Sequence, residues 1–127
     1  MDTRNALTGL HLLVVEDNVD ARAILTAVLE YCGALVTQAS TATGALRVLR
    51  QTTPDAVVAD MHLPDHDASW LVSEARRVRS YAPFVAVSAE DFDQEDLASR
   101  GFAAFLVKPL DLPRLVDAVL AVVPRRS

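Results

Sequence analysis

Five short apolar runs alternate with five stretches of helical periodicity, and this alternation constrains the fold more than any other feature of the chain. The apolar runs lie at residues 11–15, 34–39, 55–59, 84–88 and 103–107, and the helical patterns at residues 20–31, 41–51, 67–79, 93–100 and 112–123. The first, third, fourth and fifth runs are nearly all apolar, as expected of strands that are covered on both faces of a sheet. We therefore predict an α/β fold with a doubly wound, five-stranded parallel sheet, five helices and right-handed crossovers.

Length and composition narrow the class of protein. The chain has 127 residues, half of them hydrophobic, which suits one domain at residues 10–123 with short frayed tails at 1–9 and 124–127. A net charge of −5 argues against a nucleic-acid surface. The single cysteine, Cys32, excludes an internal disulfide and a cysteine metal cluster. Neither a membrane span nor a secretory signal is recognisable, so we expect a cytoplasmic protein with no membrane partner.

Polar side chains stand at the ends of four of the apolar runs. The first run ends at Glu16 and Asp17, the third at Asp60, the fourth at Ser88 and the fifth at Lys108, the only lysine of the chain. Ligands bind at the carboxyl ends of parallel strands, so these groups should meet at one edge of the sheet. Clustered carboxylates need a proton or a cation among them, and oxygen ligands favour Mg²⁺. A carboxylate beside such an ion can attack phosphorus, while a lysine and a hydroxyl contact the phosphoryl oxygens.

Four motifs in this order resemble the receiver domain of two-component response regulators. They are ED at 16–17, DMHLP at 60–64, SA at 88–89 and FLVKP at 105–109, and the resemblance covers roughly residues 10–123. It implies the CheY-like, flavodoxin-like fold of five βα units with strand order 2-1-3-4-5. It also implies a phosphoacceptor of a two-component or phosphorelay system. Such a protein catalyses its own phosphorylation and dephosphorylation but is not a turnover enzyme.

The resemblance implies a role for each motif residue. Asp60 would be the phosphoacceptor. Lys108 would contact the phosphate, and Pro109 would fix its turn through a cis peptide bond. Ser88 would be the switch hydroxyl that turns toward the phosphoryl group, and Phe105 the switch aromatic that moves inward as Ser88 moves.

The resemblance also implies a metal ion and protein partners. Asp17 would bind Mg²⁺, or Mn²⁺ in its place, directly and Glu16 through water, joined by Asp60 and the backbone carbonyl of His62. His62 and Glu90 occupy the two positions that tune phosphate loss in the family. The phosphodonor would be a sensor histidine kinase or a histidine phosphotransfer protein, and the downstream protein is not identified. Phosphorylation could drive homodimerisation, and the chain could be a stand-alone regulator or a receiver excised from a hybrid kinase.

Three departures from the family pattern affect these expectations. The family usually has glycine where this chain has Ala68 and an apolar residue where it has His66, so the loop after the third strand could differ. Phe105 replaces the more common tyrosine and has no hydroxyl to donate outward. The segment from Ser88 to Gly101 is about two residues short. That shortening puts the fourth helix, and the output face it helps to build, in question.

Other readings of the acidic loop stay open. His62 and His66 have the i, i+4 spacing of a zinc pair, but Pro64 between them resists a helical turn. More simply, His66 is a surface residue and Asp65 or Asp67 caps the third helix. The acids at 16–17 could likewise cap the first helix.

Three alternative functions are compatible with parts of the pattern. An aspartate-nucleophile phosphatase of the haloacid dehalogenase type would need a second aspartate where this chain has His62. A flavin module would need a Ser/Thr/Gly-rich loop after the first strand, where the chain reads EDNVD. The third alternative is a receiver that binds partners without being phosphorylated.

Overall fold

Strands and helices alternate along the chain as the apolar pattern predicts. The computed structural model describes residues 2–124. Within them the strands are β1 (His11–Val15), β2 (Leu35–Ala39), β3 (Ala56–Asp60), β4 (Phe84–Ser88) and β5 (Ala104–Val107). The helices are α1 (Val19–Tyr31), α2 (Ala42–Gln51), α3 (Ala68–Arg77), α4 (Gln94–Ser99) and α5 (Leu112–Val122). The bounds agree with the predicted ones to within two residues.

All strand pairs are parallel, in the order β2-β1-β3-β4-β5. This order confirms the predicted doubly wound sheet. Every residue of β3 and β4 is buried, because these strands have a strand on each side and helices on both faces. The order reverses between β1 and β3, so the carboxyl ends of these two neighbours form the topological switch point.

Two apolar layers cover the sheet. Alternate strand residues feed opposite layers: Val57 packs with α2, α3 and α4, whereas Val58 packs with α1 and α5. Side chains such as Leu71 of α3 and Leu115 of α5 are almost completely buried. In the part of the chain that the structure describes, no helix has both the length and the apolar character of a membrane span.

Helix α3 ends two residues earlier than predicted because the chain turns at Arg79. Arg79 has φ of +63°, in the left-handed region. Its N–H donates to the carbonyl of Arg76 at 3.1 Å, and the next N–H, of Ser80, donates to Ala75 at 2.9 Å. This pair of bonds is a Schellman closure, which a helical periodicity pattern does not reveal.

The N-terminal segment packs on the core instead of fraying. Leu7 is fully buried in the layer of α1 and α5, and its N–H donates to the carbonyl of Cys32 at 2.8 Å. Gly33, with φ of +98°, lies so close to Thr8 that a Cβ there would collide with the threonine. The expectation of a frayed tail is therefore wrong for the part around Leu7. Met1 and residues 125–127 of the expected tails lie outside the described residues, and 10–123 remains our proposed domain range.

Helix α4 has only six residues, as the short segment before Gly101 led us to expect. Asp93 precedes it and accepts from the N–H groups of Glu95 and Asp96. The connection from β4 to α4 is consequently the short loop 89–93. This loop lies beside the carboxyl ends of the strands, where the predicted site residues meet.

Candidate functional site

An open cleft lies at the carboxyl ends of the strands. It is lined by Glu16, Asp17, Asn18, Ala21, Asp60, His62, Ala89 and Lys108. The acids follow β1 and β3, which are neighbours, and the lysine follows β5. The sheet therefore brings the predicted carboxylates and the predicted lysine to one place.

The ammonium group of Lys108 lies between two carboxylates. Its Nζ donates to Asp60 Oδ2 at 2.8 Å and to Glu16 Oε1 at 2.9 Å. Partial burial lowers the pKa of Lys108, but the hydrogen bonds and charges of Asp60 and Glu16 outweigh it and raise this pKa above its ordinary value. Lys108 is therefore a cation at neutral pH and offsets the repulsion between the two acids. Its peptide bond to Pro109 is cis, as expected.

Asp60 ends β3 with both carboxylate oxygens engaged. Oδ2 accepts from Lys108, and Oδ1 accepts from the backbone N–H of His62 at 2.9 Å. Only 12% of its side chain is exposed, and the residue lines the cleft. A carboxylate that is oriented by two donors and open on one side can act as a nucleophile toward a ligand in the cleft.

Glu16 and Asp17 have different environments. Glu16 is buried, and its Oε2 accepts from the N–H of Asn18 at 3.1 Å, while Asp17 is exposed on the wall of the cleft. Helix α1 is capped by Asn18, which accepts from the N–H of Ala21. Among residues 2–124, no three His, Cys, Asp or Glu side chains are arranged to hold a metal ion as they stand. The cation between Glu16 and Asp60 is the lysine ammonium.

The two histidines of the acidic loop face different partners. His62 Nε2 lies 3.1 Å from Glu90 Oε1 at the mouth of the cleft. The ring of His66 stacks on Trp70 of α3, with 3.6 Å between ring centroids. These separate contacts oppose the zinc-pair reading. Trp70 is partly buried and packs against the apolar layer of α2, α3 and α4.

Ser88 and Phe105 lie near the cleft but do not line it. Ser88 is fully buried at the end of β4, and its Oγ accepts from the N–H of Glu90 at 3.1 Å. Phe105 is half-buried in β5 and packs edge-on against Phe92, with 5.8 Å between ring centroids. Neither residue is therefore in the lining of the cleft, although Ser88 ends the strand next to β3.

Asp65 has a role that sequence reasoning missed. Either Asp65 or Asp67 was expected to cap α3, and the cap is Asp67, which accepts from the N–H of Trp70 at 2.8 Å. Asp65 instead crosses to α2, where its two oxygens accept from the N–H groups of Ala42 and Thr43, each at 2.9 Å. Burial by itself would raise the pKa of Asp65, but these bonds and that of the Thr43 hydroxyl hold it well below its usual range. The loop after Asp60 is therefore tied to α2.

Comparison with known proteins places this fold and site in a family. The family model described as "Response regulator receiver domain" matches residues 12–120. The transcriptional regulatory protein PrrA of Mycobacterium leprae is 34% identical over 129 aligned positions, which cover 100% of this chain and 54% of that protein. The chain thus spans about half the length of this relative. Relatives of this kind are named as regulators and not as turnover enzymes.

Two solved receiver domains resemble the structure in both sequence and fold. The CheY-like receiver domain from Methylobacillus flagellatus is 30% identical with a TM-score of 0.80, over 89% of this chain and 98% of that chain. The receiver domain of the sensor histidine kinase PA1611 from Pseudomonas aeruginosa is 25% identical with a TM-score of 0.81, over 91% of this chain and 98% of that one. It was solved with a magnesium ion coordinated in its active-site cleft. The fold, the motif order and the family match together show that this chain belongs to the response regulator receiver domain family.

Proposed function

We propose that this receiver domain accepts a phosphoryl group on Asp60 and that the phosphorylated form presents a changed surface to a partner protein. The observation that carries the proposal is the ion pair of Asp60 with Lys108 at 2.8 Å, at the floor of an open cleft. This ion pair provides a nucleophile and, beside it, a cation that can contact the phosphoryl oxygens. The phosphodonor is a phosphohistidine of a sensor histidine kinase or a histidine phosphotransfer protein, and we expect the exchange to occur in the cytoplasm.

The transfer is a substitution at phosphorus. A carboxylate oxygen of Asp60 forms a P–O bond, the P–N bond to the donor imidazole breaks, and the imidazole keeps the bonding electron pair and takes up a proton. Charge on the phosphoryl oxygens is stabilised by the Lys108 ammonium, which is already within 2.8 Å of the nucleophile. The backbone N–H of His62 holds the other carboxylate oxygen and so fixes the orientation of the nucleophile.

The donor set of the cleft fits a Mg²⁺ ion, or Mn²⁺ in its place. Glu16, Asp17 and Asp60 are hard oxygen ligands, and against the one ammonium of Lys108 they leave two formal negative charges that a divalent cation would balance. Asp17 and Asp60 would bind the ion, with Glu16 acting through water and the His62 carbonyl completing the set. When bound, the ion would neutralise charge on the incoming phosphoryl group.

An apolar groove beside the cleft supports a protein phosphodonor. The groove has a volume of about 440 Å³ and runs between α1 and α5, where Ile24 and Leu112 contribute to its walls. It extends to Glu16 and Lys108 of the cleft. Ile24 is 66% exposed and continues the apolar lining of the groove to the surface, and a contiguous apolar patch of this kind is typical of an interaction site. A donor protein seated here would place its phosphohistidine next to Asp60.

The response to phosphorylation would pass through Ser88 and Phe105. The Ser88 hydroxyl now accepts from its own loop, and turning toward a phosphoryl group would displace that loop. Phe105 would respond next, because it lies on the neighbouring strand β5, whose Val107 pairs in register with Ser88. The face made by α4, β5 and α5 would then change its affinity for a downstream protein or for a second copy of the chain. A bias of a few kcal/mol between the two states is enough for such a shift.

The first experiment measures the covalent adduct. The protein is incubated with Mg²⁺ and acetyl phosphate, and its intact mass is recorded beside that of Asp60→Asn and of Asp67→Asn. Asp67→Asn is the matched control, since it makes the same chemical change in the same loop and asparagine caps a helix as well as aspartate does. We expect one hydroxylamine-labile phosphoryl group on the wild type and on Asp67→Asn, and none on Asp60→Asn.

Absence of an adduct on the wild type, with no binding of beryllofluoride either, would refute phosphorylation and favour the phosphorylation-independent interaction module.

A second experiment separates chemistry from docking. Ile24→Arg should slow transfer from a phosphorylated histidine phosphotransfer protein but leave the reaction with acetyl phosphate unchanged, because Ile24 does not line the cleft. An equal loss of phosphorylation rate with both donors would argue against the groove as the docking site.

A further inference from the structure

The loop between β4 and α4 carries one large apolar residue among acids. Residues 89–93 read AEDFD, and Phe92 is half-buried while Glu90, Asp91 and Asp93 are exposed. The Phe92 side chain packs against the apolar layer of α2, α3 and α4. A large aromatic anchors this loop although the loop is otherwise polar and short.

Phe92 lies between the switch aromatic and the mouth of the cleft. Its ring meets Phe105 edge-on, with centroids 5.8 Å apart and an interplanar angle of 89°. The ring of His62 is 6.2 Å from that of Phe92 at a tilt of 43°. The T-shaped geometry is the favoured one for two aromatic rings, because the positive edge of one faces the negative face of the other.

The same loop is also tied to the predicted switch hydroxyl and to the residue after the phosphoacceptor. The N–H of Glu90 donates to Ser88 Oγ at 3.1 Å, and its carboxylate lies 3.1 Å from His62 Nε2. Movement of the Ser88 hydroxyl toward Asp60 would break its bond to the loop that holds Phe92. One set of contacts from the cleft to Phe105 runs through this loop, by way of His62 and Phe92.

We propose that Phe92 is a positioning residue that holds Phe105 in the arrangement seen here and so opposes the phosphorylated state. The proposal rests on the proposed function, in which Phe105 moves inward. On this proposal, inward movement takes the Phe105 ring away from Phe92, and the edge-to-face contact then stabilises only the unphosphorylated arrangement. An aromatic pair of this kind shifts a two-state equilibrium by about three- to tenfold.

The test measures the affinity for beryllofluoride with Mg²⁺ in protein labelled with 4-fluorophenylalanine. Fluorine NMR then reports bound beryllofluoride and the four phenylalanine rings together, and Phe105→Leu assigns the Phe105 signal. Phe92→Leu keeps an apolar anchor without the ring, and Phe92→Ala removes both. Tyr81→Leu is the matched control, since Tyr81 is an exposed aromatic at the amino end of β4, away from the cleft.

Both Phe92 variants should bind beryllofluoride about three- to tenfold more tightly than the wild type. Without ligand, their Phe105 signal should move toward its position in the beryllofluoride-bound wild type. Tyr81→Leu should change neither quantity. If Phe92→Leu binds beryllofluoride with wild-type or weaker affinity, the proposed restraint of Phe105 by Phe92 is refuted, even if thermal stability falls. If the wild type itself binds no beryllofluoride, the proposed function fails. In that case the proposal for Phe92, which rests on the proposed function, fails as well.

Discussion

Replacement of Asp65 by alanine should destabilise the protein although the side chain is exposed. The first N–H groups of a helix have no partner within the helix, and those of Ala42, Thr43 and Gly44 begin α2. Thr41 accepts from Gly44, and Asp65 accepts from the other two. Without Asp65, two of the three donors would depend on water.

The size of the effect follows from these contacts. Removal of a capping side chain lowers stability by about 1 kcal/mol in typical cases. Asp65 caps two donors, accepts from the Thr43 hydroxyl at 2.6 Å and carries a charge that favours a helix N-terminus. Because water can replace part of this, we expect a loss of about 1–2 kcal/mol for Asp65→Ala and about half of that for Asp65→Asn, which keeps one acceptor oxygen.

Urea unfolding followed by circular dichroism gives the free energy of unfolding at each pH. The hydrogen bonds hold the pKa of Asp65 below its usual range in the folded protein. A depressed folded pKa means that the stabilisation is fully present above the unfolded pKa, about 3.9, and is lost as pH falls toward the folded pKa. The stability gap between wild type and Asp65→Asn should therefore be constant from pH 7 to about pH 5 and narrow below about pH 4.

Asp91→Ala is the matched control, because it removes the same charge from another exposed loop. It should change the free energy of unfolding by less than about 0.5 kcal/mol. If Asp65→Ala lost no more stability than this control, the capping of α2 by Asp65 would contribute nothing to stability and the prediction would be wrong. A gap that widened on acidification would show that the carboxylate is not the stabilising form.

Three further outcomes test other parts of the structure. Lys108→Met should slow phosphorylation of Asp60 by acetyl phosphate about 100-fold, measured by intact mass against time, because the only ammonium at the nucleophile is lost. Arg76→Met should lower the free energy of unfolding by about 2 kcal/mol in urea, since its Nη1 donates to two carbonyls of the α3–β4 connection; Arg77→Met, exposed on the next position, should change it little. Leu7→Ala should lower the same quantity by about 2–5 kcal/mol, and a loss under about 1 kcal/mol would contradict the packed N-terminal segment.

Local patterns predicted the elements well where each pattern has one structural meaning. The apolar runs of β3 and β4 could be identified because a strand buried on both faces shows no polar alternation. The end of α3 could not, because it depends on a left-handed turn at Arg79, which is not glycine. The burial of Leu7 was also missed, since a single leucine in a polar segment has no periodicity to interpret.

The candidate site, like the fold, was only partly predictable from the sequence. Placing the carboxylates and Lys108 at strand ends was possible from the motifs, because parallel strands bring their carboxyl ends to one edge. The attachment of Asp65 to α2 was not, since nothing in the loop distinguishes Asp65 from Asp67 as a cap. Phe92 also gave no signal, because one aromatic in an acidic loop can equally be exposed.

By itself the sequence determined the order of elements, the parallel sheet, the family and the set of polar residues at the strand ends, because periodicity and motif spacing are properties of neighbouring residues. Only the tertiary structure decided which groups meet. The Lys108 ammonium contacts Glu16 and Asp60, which lie 92 and 48 positions away along the chain. Asp65 reaches back to α2, and Phe92 lies between His62 and Phe105. Such contacts depend on how strands pair and how loops pack over them, and these geometries arise only when the whole sheet has formed.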